Sequence, residues 1–403
     1  MPKTFIQRIS FLIVFCFIFF FSILISEVHA ANANLVPNPT LQTASGSLPA
    51  SWQHKKYGTN TATFSYPSSG GYLDNKKYVK VDISAYTDGG ASWYATRSPV
   101  VVGETYSFVD YYKSTTWSYE VIEMEMMDGS ITYQYLTDLG TASSWTQFYT
   151  EFTIPVNVKA VALIHEIGSV GSLSTDSYEI KKSSLSRPLI SLTFDDNWES
   201  VYTNALPVLT ANNLKSTQYI ITGLVDTPSY MTTAEIKEFV AKGHELGSHT
   251  VTHPFLTTLT GTQLKNELSN SKQTLLSKFG VTATSLAIPY DDYNDNVITQ
   301  ALKYYSYVRN SDTGYNNLTN YYNGGIMSQY VSSATTVADI QGWIDIAKAK
   351  KQWLVLMYHQ VDNGGAEYST TPATFAAEMT AIVNSGVTVK TFNDAVTELK
   401  SQL

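Results

Sequence analysis

The sequence predicts a multidomain chain, an antiparallel all-β sandwich or jelly roll followed by an α/β domain on a mostly parallel sheet. Three observations carry this. As far as about residue 180 the chain is rich in Thr, Ser, Tyr and Gly and its apolar residues alternate with period two. After Pro188, strand-like runs alternate about seven times with amphipathic helical stretches, the texture of parallel strands joined by helices. The length, 403 residues, allows two or three domains that each bury a core.

In the front half, Val79, Val81 and Ile83 alternate with Tyr78, Lys80 and Asp82, and Phe148, Thr150, Phe152 and Ile154 alternate with Tyr149, Glu151 and Thr153. Such runs are half-buried strands. Asp88-Gly89-Gly90, Val102-Gly103-Glu104 and Asp128-Gly129-Ser130 supply turns between them. Residues 181–187, with three serines ahead of Pro188, read as a linker, so the domains are expected at 31–183 and 184–403. Residues 1–30 read as a secretory signal peptide: Lys3 and Arg8 precede an apolar run over 11–25, then Val28-His29-Ala30. That run falls short of the roughly 20 residues a bilayer-spanning helix needs. Cleavage after Ala30 gives a secreted protein; retention would leave it at the cell surface.

In the rear half, strands are expected at 189–194, 218–222, 245–248, 285–288, 306–309, 353–357 and 387–390. A first helix carries Val201, Leu206 and Leu209. Thr232 to Glu235 reads as a capping box, Leu264, Leu268, Leu275 and Leu276 as an apolar stripe, and Thr371-Pro372 as a start with proline in the first turn. The composition also excludes function classes. Net charge is −8 with no Lys/Arg cluster, which argues against nucleic acid. The single cysteine, Cys16, rules out an intrachain disulfide framework and a thiolate metal site, so any metal must sit on His and carboxylates.

In parallel sheets the chemistry lies in loops leaving the C-terminal strand ends. Here those ends carry Asp195-Asp196, His249 to His253, Pro289-Tyr290, Arg309 and Tyr358-His359. Three of the seven histidines therefore fall on one rim, whereas His54, His165 and His244 have no such placement. Each piece alone also fits a structural role, as a core imidazole or as a carboxylate capping the next helix. Together, two imidazoles and one carboxylate make an open metal site with positions left for water and substrate, Zn²⁺ by default with Co²⁺ or Ni²⁺ possible. His249 and His253 would share a face if their loop made a helical turn. A neighbouring carboxylate as base and a histidine as proton donor complete the parts of metal-assisted hydrolysis.

Four ordered motifs, Ser191-Leu192-Thr193-Phe194-Asp195-Asp196, Gly243 to His253, Ala287-Ile288-Pro289-Tyr290 and Leu354 to His359, resemble those of the polysaccharide deacetylases, carbohydrate esterase family four with its nodulation-factor-deacetylase homology domain. The resemblance covers roughly 188–403 and implies a distorted (β/α)7 barrel. It assigns Asp195 as catalytic base, Asp196, His249 and His253 as metal ligands, Tyr290 as donor of an oxyanion-stabilising N–H and His359 as catalytic acid. Ala287 stands where many members carry an arginine that orients the base. This matches a branch whose motif reads aromatic-Ala-x-Pro-Tyr, in which an arginine from the next strand can substitute; Arg309 is the candidate, grouped with Tyr290 on the oxyanion and substrate side. Asp291 and Asp292 replace the branch's usual glycine, either solvated or repelling acidic glycans. The later Asp-x-x-Asp-Trp motif is not evident, and Asp312 is the candidate partner of His359.

The resemblance implies a secreted, metal-dependent deacetylase of an N-acetylated polysaccharide, with an O-acetyl esterase on xylan or a glycan-binding protein with an inactive barrel as alternatives. A two-carboxylate glycosidase does not suit adjacent aspartates on one strand end. Asn34 to Pro39 resembles the opening of secreted jelly-roll carbohydrate-binding modules, which suggests sugar binding through aromatic faces, with Trp93, Trp117 and Trp145 as candidates or core residues. A structural Ca²⁺ is conceivable there, though no acidic loop specifies one. The expected partner is an acetylated polysaccharide or oligosaccharide, with no nucleic acid, no membrane after signal cleavage, and a monomeric chain.

Overall fold

The computed structural model describes residues 33–72, 76–321 and 325–402, so the signal segment assigned to 1–30 lies outside the described residues. The chain forms two compact units, Met1–Ser183 and Ser184–Leu403. Among the described residues no helix is long and apolar enough to cross a membrane.

The front unit contains two antiparallel sheets. One runs in the order Ile131–Leu139, Ser118–Met126, Val158–Ile167, Gly90–Ala95, Trp52–Tyr57, with Ser98–Pro99 also paired to Val158–Ile167. The other runs Ala142–Thr153, Thr105–Ser114, Gly171–Lys182, Val79–Tyr86, Asn60–Ser65. Their inward residues, among them Val81, Ile83, Phe108, Ile122 and Leu163, form one core. Period two is literal in Val79–Tyr86, where Val79, Val81 and Ile83 are buried and Lys80 and Asp82 are not. Lys181 and Lys182 pair with Ser107 and Tyr106 and so finish a strand; the linker expected from 181 begins only at Ser183. Polar outward residues of a strand and polar linker residues read alike in sequence. Trp93 is a core residue whose Nε1–H donates to Lys80 O at 3.0 Å, Trp145 donates to Gly70 O, and Trp117 is exposed.

In the rear unit seven parallel strands close a barrel: β1 Leu189–Phe194, β2 Ser216–Ile220, β3 Glu245–Ser248, β4 Ser285–Ala287, β5 Tyr307–Thr313, β6 Ile326–Tyr330 and β7 Trp353–Tyr358. Each pairs with the next, and β1 pairs with both β7 and β2, which shuts the ring. Every residue of β1 and β7 is buried, as expected of strands covered on both faces. The membership differs from expectation at one strand. The run expected at 387–390 is the short strand Thr388–Val389, which pairs with β1 alone and lies outside the ring, and the seventh place is taken by β6. No helix separates β5 from β6 among the described residues, so a search for alternating strands and helices passes over β6.

Helix Gly261–Phe279 buries Leu264, Leu268 and Leu275 and leaves Leu276 exposed, because residues one apart on a helix point about 100° apart and only one can follow the stripe. Thr232 and Glu235 form a reciprocal capping box, and Pro372 opens the helix capped by Thr371. The helix expected through Val201 and Leu209 is a π-turn, Val201–Ala205, continuing as Leu206–Ala211.

Near the start of β1, Arg187 holds Glu398 in a two-pronged pair, 2.8 Å on each side, and Lys390 adds a third contact at 2.6 Å. The Arg187 hydrogen bonds foremost, with those of Lys390, pull the Glu398 carboxyl down to about 2 from 4.5. A folded-state value below the unfolded one gives stability that is present above the unfolded pKa and is lost as pH falls through the folded one. Thermal melts between pH 4.5 and about 2 should therefore show the parent losing more stability than Glu398→Gln; parallel losses would refute the linkage.

Candidate metal centre and cleft

Two consecutive left-handed residues, Asp196 at φ 72° and Asn197 at φ 46°, turn the chain sharply out of β1. Asn197 Oδ1 accepts the Ile221 N–H at 2.8 Å and pins the turn to the end of β2, while Asp195 N–H donates to Tyr358 O at 2.9 Å at the end of β7. The two carboxylates consequently part. Asp195 Oδ2 takes the Arg309 guanidinium, and its buried Oδ1 accepts no hydrogen bond. Asp196 Oδ2 accepts Trp198 Nε1–H at 3.2 Å, while its buried Oδ1 is left without a hydrogen bond and lies 3.3 Å from His249 Nε2 and 3.4 Å from His253 Nε2.

The histidine loop leaves β3, and it is not the helical turn that the i, i+4 spacing suggested. Thr250 and His253 are left-handed, at φ 67° and 59°. Glu267 folds the loop, accepting the N–H groups of Val251 and Thr252 at 2.8 and 2.9 Å and the Thr252 hydroxyl at 2.8 Å. Thr250 Oγ1 accepts His253 N–H at 3.0 Å. The result brings the two Nε2 atoms within 3.1 Å. His249 Nδ1–H donates to Ala287 O at 2.9 Å, so its Nε2 lone pair faces the cluster.

Electrostatics agree with the geometry. Burial would raise the Asp196 carboxyl, but the close approach and charge of His249, with His359 and His253, hold it well below its usual range. Burial, reinforced by His249, lowers His253 to about 4, so its ring is neutral near pH 7. Burial pulls His249 down too, yet the adjoining Asp196 carboxylate and the charge of Asp195 win and raise it. A cation and a proton compete for such a nitrogen. The ligand-type atoms of Asp196, His249 and His253 all lie within 4.8 Å of one another. A buried, unpartnered carboxylate oxygen facing two imidazole nitrogens fits a divalent cation.

The cleft above, about 470 Å³, is also lined by Tyr290, Asp291, Ser311, Tyr330, Tyr368 and His359. His359 Nδ1 is buried without a hydrogen-bond partner, its ring packs on Tyr368 at 5.1 Å, and burial lowers its pKa against the pull of Asp195 and Asp196. Tyr290, at φ 57°, stacks its exposed ring on Phe255 at 4.2 Å and sets its edge against His253.

Three expectations need correction. Arg309 is fully buried and touches Asp195, not the cleft, so it orients the expected base, as the arginine from the next strand was expected to, and does not belong on the oxyanion or substrate side. It pairs across the sheet with Ala287, and its longer side chain reaches Asp195 from the next strand. Asp312 accepts from Tyr293 and Asn310, both at 2.6 Å, and does not serve His359. Asp291 and Asp292 are half-buried and hydrogen-bonded, not simply solvated: Asp291, which lines the cleft, accepts Ser311 N–H, and Asp292 clamps Thr257 through its N–H and hydroxyl. The sequence reading missed Trp198 and Glu267. Trp198 could have been found from its place two residues after Asp196; Glu267, on a helix 14 residues beyond His253, carries no local signal.

Residues 182–308 match the family model described as polysaccharide deacetylase. Over 118 residues the chain is 30% identical to a Bacillus subtilis protein provisionally named a polysaccharide deacetylase, covering 29% of this chain and 42% of that one. It is 28% identical over 110 residues to a peptidoglycan-N-acetylglucosamine deacetylase of Listeria monocytogenes, covering 27% and 22%. The chain thus spans less than half the length of either relative. Among solved structures, the carbohydrate-esterase-four domain of a multidomain xylanase from the hindgut metagenome of Trinervitermes trinervoides aligns over 53% of this chain and 91% of that one, with 20% identity and a TM-score of 0.41.

Glu267→Ala should leave the fold intact by circular dichroism and weaken Zn²⁺ binding by roughly tenfold or more, since groups that orient ligands usually govern affinity on that scale. Competition with a chromophoric chelator reads the change. Unaltered affinity would mean the histidine loop keeps its shape unaided.

Proposed function

The second unit of this chain is a polysaccharide deacetylase domain, and on that premise we propose that the protein is a secreted, metal-dependent enzyme that removes acetyl groups from an N-acetylated glycan of the chitin, peptidoglycan or poly-N-acetylglucosamine type. The observation that carries this reading is the convergence of Asp196, His249 and His253 beside an Asp195 that Arg309 keeps for itself. Zn²⁺ suits the two-imidazole, one-carboxylate donor set. A cation held there supplies Lewis acidity, which polarises an acyl carbonyl and makes water acidic near neutral pH.

The chain's own groups do the rest. Asp195, oriented by Arg309 and with Oδ1 free of hydrogen bonds, takes a proton from the attacking water. Arg309 is a positioning residue, since it reaches substrate nowhere. The Tyr290 N–H is assigned to the oxygen that gains charge as water adds to the carbonyl. His359, lining the same cleft, protonates the departing amine as the C–N bond breaks, giving acetate and a free amino sugar. The exposed rings of Tyr290, Phe255, Tyr330 and Tyr368 offer flat apolar faces suited to the C–H faces of pyranose rings. The N-acetylglucosamine in the name of the Listeria relative supports the amide over the ester. The apolar run over 11–25 behind Lys3 and Arg8 supports export.

Acetate release from chitooligosaccharides and from acetylated xylan, with and without a strong chelator, tests the proposal. Turnover should vanish on chelation and return with Zn²⁺ or Co²⁺. Asp195→Asn should lower kcat by about a hundredfold or more while retaining the metal. Turnover indifferent to chelation would remove the metal mechanism, response on xylan alone would make the enzyme an O-acetyl esterase, and glycan binding without acetate would make the barrel inactive.

A further inference from the structure

The geometry points to a second glycan site, remote in sequence from the cleft: a tyrosine-built groove on the outward face of the front unit's Trp52–Tyr57-containing sheet, whose occupant is an uncharged glycan chain. The register puts Lys55, Ser92, Glu166 and Tyr119 in one row across four adjacent strands, with Tyr57 opposite Gly90 at one end. These positions alternate with the buried Ile122 and Leu163, so they face away from the core. Lys55, Tyr57, Tyr119 and Glu166 border a cavity of about 490 Å³, lined also by Lys56, Val121, Ile164 and Tyr133. Tyr57 and Tyr133 are 53% and 54% exposed, and Tyr135 and Trp117 continue the aromatic surface. A monomer surface has no packing reason to collect so many flat rings on one face.

The floor is organised before any ligand arrives. Glu166 is only 4% exposed; its Oε1 accepts the hydroxyls of Tyr57, at 2.7 Å, and of Tyr119, while Ser92 Oγ approaches Oε2 at 3.3 Å. A Cβ on Gly90 would lie 2.3 Å from Glu166 Oε1, so only glycine leaves room for this carboxylate. Lys55 sits over the Tyr133 ring at 4.7 Å. Rigid rings beside hydrogen-bonding groups suit a sugar, which is apolar on its C–H faces and polar around its edge.

The charges choose the kind of glycan. Lys55 and Arg97 both pair with Glu123, at 3.5 and 2.6 Å, and Lys159 pairs with Glu125 at 2.8 Å. Of the charged groups lining the groove itself, Lys56 donates to Asn60 O at 3.3 Å and stands with Lys55 against Glu166, so the face mixes both signs and presents no one-signed field that would gather a polyanion. None of Trp93, Trp117 and Trp145 forms its centre: Trp93 is buried, Trp145 belongs to the other sheet, and Trp117 lies at the edge against Tyr119. The choice of a glycan as occupant rests on the deacetylase reading of the second unit.

Calorimetric titration of the full chain carrying Asp195→Asn, which slows turnover, would use hexa-N-acetylchitohexaose, xylohexaose and polygalacturonate. At least one neutral hexasaccharide should occupy a site that Tyr57→Ala with Tyr133→Ala weakens by roughly tenfold or more, as loss of two stacking rings implies. Tyr149→Ala, an exposed tyrosine of the other sheet, should change nothing. Isotherms indifferent to the tyrosine pair, or no neutral hexasaccharide bound, would overturn the groove, and polygalacturonate binding lost with the tyrosine pair would overturn its uncharged occupant. Acetate release by the parent chain is scored separately, so loss of the groove and loss of the deacetylase reading are told apart.

Discussion

The buried pairing of Asp195 with Arg309 is the constraint on which the site depends. Two carboxylates one residue apart would otherwise compete for one cation. Left-handed conformations at Asp196 and Asn197 aim the side chains apart, but direction alone does not keep Asp195 available. Arg309 does, by occupying Oδ2 from β5 while Oδ1 stays unbonded. A fully buried guanidinium is costly without a partner, and so is a buried carboxylate, so each justifies the other's burial. The Tyr219 ring, 5.1 Å from the guanidinium, gives it a second favourable surface. Ala287, opposite Arg309 in the register, is the small residue that goes with this arrangement: the positive charge comes from the next strand, and Asp195 is held from within the barrel.

What could be read from the sequence follows the range of the interactions concerned. Strand-end residues were legible because a parallel sheet puts the C-terminal ends of its strands on one rim, whatever the loops do afterwards. Asp195, Asp196, His249 and His253 come together on that ground, and Thr232 with Glu235 is legible because a capping box is local. The shape of the histidine loop was not. Its form is imposed by Glu267 from a separate helix, and a spacing of four residues is satisfied as well by two left-handed turns as by a helix. Strand β6 escaped for a related reason, being a five-residue run without a preceding helix to frame it, whereas Thr388–Val389 looked like a barrel strand because it follows one.

The front unit shows how the same residue types serve another end. Asp110, Glu120 and His165 also place ligand-type atoms within 4.8 Å of one another, fully buried between the sheets. His165 Nδ1 lies 2.9 Å from Asp110 and 2.7 Å from Glu120, and its Nε2 is 2.9 Å from Ser118 Oγ. Burial opposes charge on His165, yet Glu120 and Asp110 raise it to about 10, and burial with the Asp110 charge raises Glu120 to about 8. The imidazole lies between a carboxyl of its own sheet, Glu120, and one of the facing sheet, Asp110, which makes this cluster a buried polar tie between the two sheets.

The barrel cluster has the opposite composition. It has two imidazoles for one carboxylate, and the second carboxylate is already neutralised by Arg309, so protonating both rings would leave an excess of positive charge in a half-buried site. The low value of His253 follows from burial first and from the neighbouring His249 second, both of which work against a proton on its ring. Neutral imidazole nitrogens turned toward a carboxylate oxygen with no hydrogen to accept are ligands in waiting, because a divalent ion can satisfy all three atoms at once and a proton can satisfy only one or two. The difference between the two clusters therefore lies in their make-up, one imidazole among two carboxyls against two imidazoles facing one carboxylate, and Arg309, by engaging Asp195, is the residue that sets it.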